Sequence, residues 1–260
     1  MKNYKKDNFR ARELLYTWAL RDFKMRYSQL IWGAAWAIIQ SFSLMVVFSD
    51  TFSSFLKIPT NKIPYPLFSF VALLPWTFFS NSLSFAIPSQ VNNINLVRKI
   101  YFAKEIWPLP AFLVFLIEFP ISFSIFVLMM LWYQTPVSWT LIFIPLVLLI
   151  HVILIFRISL FVFAINVFYR IIQLVLSLMI KIRMYLSPAI YPVEIIPQRL
   201  KPVCFIIPVS TILESYRRMV LYQQEPYWIF QGFAAIISIS LVFVTYPQFK
   251  RTDRQFADLI

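Results

Sequence analysis

Residue types that do catalysis or bind metals are scarce in this chain. It has one histidine, His151, and one cysteine, Cys204, so it cannot by itself form a disulfide or a zinc site of several Cys and His ligands. Its only glycines are Gly33 and Gly232. A phosphate-binding P-loop needs two glycines five positions apart, followed by Lys and Ser or Thr. The chain therefore binds no ATP through a P-loop, and nucleotide-driven work requires a partner.

Four ionisable side chains stand inside long apolar runs: Glu118, Arg157, Lys181 and Arg183. An ionisable group at the centre of a bilayer costs on the order of 3 kcal/mol or more, so it faces protein or water rather than lipid. We expect Glu118 to pair with Arg157 or Lys181, and the remaining cation to line a wet pathway. His151 lies in the same apolar run as Arg157 without a recognisable partner motif, and a packing role with its polar atoms satisfied is the simpler interpretation.

The composition places these residues in a membrane protein. Of 260 residues, 60% are apolar and 13% are charged, whereas about a quarter are charged in a typical soluble domain. The formal charge of +13 is explained by basic residues that gather on the cytoplasmic side and meet anionic membrane lipids. No nucleic-acid partner is expected.

The apolar runs predict an all-α membrane protein with a single transmembrane domain over 1–260. Residues 1–32 carry Tyr16, Leu20, Phe23 and Tyr27 on one helical face, which predicts an amphipathic helix on the membrane surface; a basic tail is the alternative. Residues 250–260 form a polar tail. A bundle at 33–249 contains six predicted spans, at about 33–52, 65–87, 108–133, 141–167, 171–191 and 227–249.

The region 193–226 before the last span has a different character. Its apolar stretch VCFIIPVSTIL has 11 residues and contains Pro208, so it is too short and too broken to cross. A re-entrant or interfacial pair of short helices is expected there.

The distribution of Lys and Arg predicts the orientation. With a cytoplasmic N-terminus, the cytoplasmic segments hold 15 of the 24 basic residues and the outer loops hold six, among them Arg217 and Arg218. The positive-inside rule then places both termini in the cytoplasm.

Eight segments in order carry a resemblance to a known family: LRDFKMRY, GAAWAIIQ, LLPWTFFSNSL, VRKIYFAKEIWPL, NVFYR, LSPAIYP, ESYRRMVL and the final FADLI. Together they resemble the membrane subunit of type-2 ATP-binding-cassette exporters for lipid-linked polysaccharides such as O-antigen and teichoic acid, over nearly the entire chain. The resemblance implies a bacterial inner-membrane complex of two membrane subunits and two ATPase subunits. It also implies no cofactor in this chain, with ATP and Mg bound by the ATPase.

The resemblance further implies a cytoplasmic coupling helix near 95–105 that sits in a groove of the ATPase. Its residues offer apolar anchors four positions apart and charges that can pair across an interface. A solvated basic loop is the alternative. A second ATPase contact is implied at Arg170, although Ile171 stands where the family usually has Asp. The implied coupling residues are Leu96, Val97, Arg98, Lys99, Ile100, Tyr101, Lys104, Glu105 and Arg170.

Aromatic side chains could present flat faces to sugar rings along the export pathway, although interface anchoring or packing is the alternative for each. The candidates are Trp76, Phe78, Phe79, Tyr185 and Tyr191. With the four ionisable residues in the spans, they form the predicted substrate pathway. In LSPAIYP, Pro188 and Pro192 each remove a helix hydrogen bond, and the resemblance implies that short helices follow and flank the exit.

Two other classes of transporter remain open: a proton-coupled secondary transporter, in which Glu118 beside basic residues relays protons, and a drug or haem efflux permease of the same general plan. An enzyme is not expected, because no acid, base and nucleophile converge in the sequence.

Overall fold

The computed structural model describes residues 17, 33–51, 63–86, 109–168 and 171–241. Within these ranges the regular structure is helical, as predicted. The longer helices are α1 (Gly33–Ser49), α2 (Tyr65–Ala86), α3 (Leu109–Trp132), α4 (Ile144–Phe168), α5 (Ile172–Leu186), α6 (Lys201–Ile206), α7 (Pro208–Val220) and α8 (Trp228–Leu241). Short 3-10 segments lie at Trp139–Phe143 and Val193–Ile195.

The long apolar runs are helices close to where they were predicted. Two stretches of the described residues are long and apolar enough to cross a membrane: Tyr65–Phe85, and Trp139–Val162, in which a 3-10 turn leads into α4. Shorter apolar helices lie at Leu116–Trp132 and Trp228–Leu241. The count of six spans stays a prediction.

Helix α2 is the centre of the bundle. It packs against α1, α3, α4, α5 and α7, and nearly all of its described side chains are buried. A helix that is apolar around its whole circumference gains most when protein surrounds it. Position 75 is a proline inside α2, and the hydroxyl of Thr77 donates to the carbonyl of Leu74 at 2.9 Å near this site.

Helix α5 is shorter than predicted. The fifth span was expected to reach residue 191, but α5 ends at Leu186 and Ser187 is extended. The amide of Ser187 still donates to the Arg183 carbonyl at 2.9 Å. Because Pro188 has no N–H and restricts the residue before it, the helix cannot continue. Residues 187–192 form a turn instead, which is buried except for the half-buried Tyr191.

The two short helices expected before the last span are present as α6 and α7. They are separated at Ile207, whose extended backbone precedes Pro208 at the first position of α7. Every side chain from Val209 to Arg217 is buried although this helix is rich in polar residues. The Thr140 hydroxyl anchors α7 by donating to the Met219 carbonyl at 2.6 Å. The re-entrant placement of α6 and α7 in the membrane stays a prediction.

Several sequence predictions fall outside the described residues. These are the surface helix in 1–32, apart from position 17, the coupling segment 95–105, Arg170 and the tail 250–260.

Candidate functional site

The most deeply buried charged group in the described part of the chain is Arg217. Its side chain has no exposed surface, and its guanidinium group donates to three main-chain carbonyls of the turn that follows α5. Nη2 donates to Ala189 at 2.7 Å, and Nη1 donates to Tyr191 at 3.0 Å and to Pro188. The planar fork of an arginine suits several acceptors at once. Carbonyls of a turn that lies beyond the end of the helix are thereby satisfied.

Helix α2 contributes two aromatic residues to the same place. The Tyr65 hydroxyl donates to the Ile190 carbonyl at 2.6 Å. The guanidinium carbon of Arg217 lies 4.0 Å from the centroid of the Phe68 ring, within the range of a cation–π contact. Below, "Arg217 cluster" denotes Arg217, Glu214, Tyr65, Phe68 and the carbonyls of residues 188–191.

Glu214 is the acidic member of the Arg217 cluster. One of its carboxylate oxygens, Oε2, lies 3.7 Å from Nη1 of Arg217, which is an ion-pair distance but too long for a hydrogen bond. Burial raises the pKa of Glu214 to about 7, and the attraction of Arg217 only partly opposes this. The carbonyls, rather than a fully ionised carboxylate, therefore supply most of the polar environment of the arginine.

Tyr191 ties the turn back onto α5. Its hydroxyl lies 3.1 Å from the carbonyl of Tyr185 and 3.3 Å from that of Leu186. These carbonyls belong to the last turn of α5, which has no helical partners of its own. Tyr191 is half-buried and, in this conformation, caps a helix.

Helix α5 presents polar side chains on an exposed face. No residue of α5 is fully buried, and Gln173, Ser177 and Lys181 are exposed at intervals of four, which puts them along one side of the helix. These three residues are called the α5 polar stripe. Lipid is a poor environment for a lysine in a span, so this face requires protein or water. The Tyr185 side chain is also exposed on α5, whereas Arg183 is half-buried.

Three of the predicted pathway aromatics lie inside the core instead. Trp76, Phe78 and Phe79 are all buried in α2. The Phe78 ring packs against Phe119 with centroids 5.4 Å apart. In this conformation these rings have no open surface to offer a sugar, and the packing alternative describes their surroundings.

His151 lies between two of these rings. Its imidazole meets Phe78 edge-on at 5.4 Å and stacks on Phe79 at 6.3 Å, measured between centroids. The side chain has no exposed surface, and neither ring nitrogen has a hydrogen-bond partner among the described residues. The packing agrees with the interpretation from the sequence, but the hydrogen-bond partners of a satisfied histidine are not found among the described residues.

Among the described residues, Glu118 does not make the expected pair with Arg157 or Lys181. Glu118 is buried in α3, but within the described ranges no ion pair joins it to Arg157 or Lys181. Arg157 is half-buried in α4, where its guanidinium carbon lies 5.7 Å from the Phe156 centroid and its Nε has no hydrogen-bond partner in the described ranges.

Sequence reasoning missed the Arg217 cluster. Arg217 was counted as an outer-loop charge, like its neighbour Arg218. The spacing of Glu214 and Arg217, three apart in ESYRRMVL, was a usable signal, since such a pair shares one helix face. Within the described residues no group of three or more His, Cys, Asp and Glu side chains is placed to hold a metal ion.

Comparison with known proteins gives matches over most of the chain. Residues 13–221 match the family model described as ABC-2 type transporter. The O-antigen export system permease protein RfbA of Klebsiella pneumoniae is 24% identical over 212 residues, covering 80% of each chain. The protein of the same name from Myxococcus xanthus is 24% identical over 255 residues, covering 97% of each chain.

Proposed function

The chain belongs to the ABC-2 type transporter family, and from this premise we propose that it is the membrane subunit of an ATP-driven exporter of lipid-linked polysaccharide. The substrate is O-antigen or a similar glycan, and the membrane is the bacterial inner membrane with both termini cytoplasmic. The observation that carries the proposal is similarity along 97% of the chain to a protein named as an O-antigen export permease. The chain is a membrane protein, and transport rather than catalysis is its role.

A separate ATPase subunit supplies the energy. The chain has only two glycines, far apart, and so cannot form a P-loop. ATP and Mg belong to that partner. The ATPase subunit contacts this chain at the coupling residues of 95–105 and, as a second contact, at Arg170.

Two copies of the chain form the pathway. The α5 polar stripe supports this, because three polar residues are exposed on a helix that has no buried residue in a single copy. A second copy facing α5 would shield the stripe from lipid and leave water between the two helices. Lys181 then faces the anionic part of the substrate, and Tyr185 lies close to it along α5. Arg157 and Arg183 are further cations of this pathway.

The test is export by the complex of this chain with its ATPase in proteoliposomes. The expected result is ATP-dependent movement of lipid-linked glycan that continues after the proton gradient is collapsed. Movement that follows the proton gradient and ignores ATP would favour a secondary transporter. ATP-dependent movement of drugs or haem, but not glycan, would favour an efflux permease.

A further inference from the structure

One side chain of α7 makes hydrogen bonds to the turn at the end of α5. Helix α7 packs against α2, α4 and α6. Its link to the end of α5 is the guanidinium group of Arg217, which reaches the turn at Pro188, Ala189 and Tyr191. Arg217 thereby contacts residues that precede it by 26 to 29 positions in the chain.

Separating these groups would be costly. The turn is buried and Arg217 has no exposed surface, so water cannot replace the hydrogen bonds that a displacement would break. A buried donor or acceptor left without its partner carries its full desolvation penalty, and a charged donor carries more. Tyr65 holds the same turn from α2 through Ile190. The turn is therefore held from two directions.

Lysine could not make the same connection. An ammonium group is a point charge on a flexible stem, whereas the guanidinium fork reaches separate carbonyls in one plane while its face lies on an aromatic ring. All of these features are used here: two nitrogens donate to three carbonyls, and the guanidinium carbon lies over Phe68.

We infer that Arg217 is a positioning residue for export, which joins the end of α5, the start of α2 and α7 into one body, so that a displacement of α5 carries α7 with it. The inference rests on the proposed function, in which α5 lines the pathway. Arg217 touches no substrate in this role. It transmits the position of the pathway wall to the short helices beside the exit.

Variants of neighbouring arginines give a matched comparison. Arg217→Met keeps much of the length of the side chain and removes the donors, and Arg217→Lys keeps the charge without the fork. Arg218→Met is the control: Arg218 donates to the Glu225 carbonyl at 2.8 Å and lies over Tyr227, within the loop that follows its own helix. In the complex with its ATPase, both Arg217 variants are expected to lower export roughly tenfold while ATP turnover continues. The control should export like the parent.

A distance measurement tests the same inference without removing Arg217. In a Cys204→Ser background, spin labels are placed at Leu186→Cys, at the end of α5, and at Gln224→Cys, just after α7; both positions are exposed. Labelled chain is mixed with excess unlabelled chain so that most complexes hold one labelled copy. The distance distribution is expected to be the same in the nucleotide-free complex and in the complex trapped with ATP. With Arg217→Met it should broaden.

Three results would overturn the inference: a change of the distance between the two states, full export by Arg217→Met, or full rescue by Arg217→Lys. If Arg217→Met does not accumulate, the distance in the parent decides alone. Failure of the proposed function is recognised separately, because the unlabelled parent complex would then move no glycan, whereas the distance measurement needs no substrate.

Discussion

Tyr65 and Ile190 are 125 positions apart, and the hydroxyl of the first donates a hydrogen bond of 2.6 Å to the carbonyl of the second. The contact joins the first turn of α2 to the turn that ends α5. Both residues are buried. Two apolar helices of a membrane bundle are thus fastened at one end by a polar contact that water does not reach.

Tyr65→Phe is expected to destabilise the purified chain by about 1–3 kcal/mol, because the buried Ile190 carbonyl loses its donor while the ring remains. The measurement is thermal unfolding in detergent. Tyr133→Phe is the control, since Tyr133 is exposed and has no side-chain hydrogen bond among the described residues. Equal midpoints for the two variants would show that the Tyr65 hydroxyl contributes nothing.

Replacing His151 with Phe should leave the stability unchanged or raise it. The imidazole is packed between aromatic rings, and its two nitrogens have no hydrogen-bond partner in the described part of the chain. Removing buried polar atoms of this kind while keeping a ring of similar shape costs little. His151→Ala should instead lose about 2–5 kcal/mol through the cavity that it leaves. Loss of export in a well-folded His151→Phe variant would contradict the packing role.

The stability of the chain should depend on pH through Glu214. Burial, partly opposed by Arg217, raises its pKa from 4.5 to about 7 in the folded protein. Folding thus favours the protonated carboxyl; this stabilisation is fully present below the unfolded pKa and is lost as the pH rises through about 7. The charged or titratable groups around it are Glu194, Cys204, Arg217, Arg218 and Tyr222.

The unfolding midpoint should therefore fall between about pH 5 and pH 8, and Glu214→Gln should flatten this dependence. Glu225→Gln is the control, because Glu225 is exposed and its carboxylate accepts from the Trp228 indole at 2.8 Å. An unchanged slope in Glu214→Gln would assign the pH dependence to other groups.

Lys181→Gln should accumulate like the parent, because the exposed ammonium has no ion-pair partner in the described residues of one copy. Export should fall if this charge meets the anionic part of the substrate in the pathway. Cellular level and transport are measured together, with Arg183→Gln in parallel, since the two side chains are two positions apart and point in different directions. Normal export by both variants would remove these cations from the pathway.

Replacing Ile100 and Tyr101 together with Asp should uncouple the ATPase and leave membrane insertion intact. These residues are the implied apolar anchors of the coupling segment, and a charge at such a position costs about 2–4 kcal/mol at an interface hot spot. Co-purification of the ATPase and its turnover with and without substrate are the measurements. Normal association together with normal export would place the coupling contact elsewhere.

The long helices could be predicted from the sequence, but the Arg217 cluster could not. A span such as α2 can be recognised from consecutive residues, because a run of apolar side chains has to cross about 30 Å of hydrocarbon. Its helix begins at Tyr65 as expected. Pro188 ends α5 locally, but the donors that satisfy the turn after it come from Tyr65 and Arg217, which lie far away in the chain. A count of basic residues assigns charge to a side of the membrane and cannot distinguish an exposed arginine from one enclosed by carbonyls.

The position of Arg217 also bears on how the chain is made. The ribosome synthesises α2 first, then residues 188–191, and only later residue 217. Until Arg217 is synthesised, the carbonyls of Pro188, Ala189 and Tyr191 lack the donor that they have in the folded chain, and an acceptor that neither water nor protein satisfies costs several kcal/mol. We therefore expect the end of α5 to reach its final position only after α7 has been synthesised. Formation of the end of α5 would then be a late step in the biogenesis of the chain.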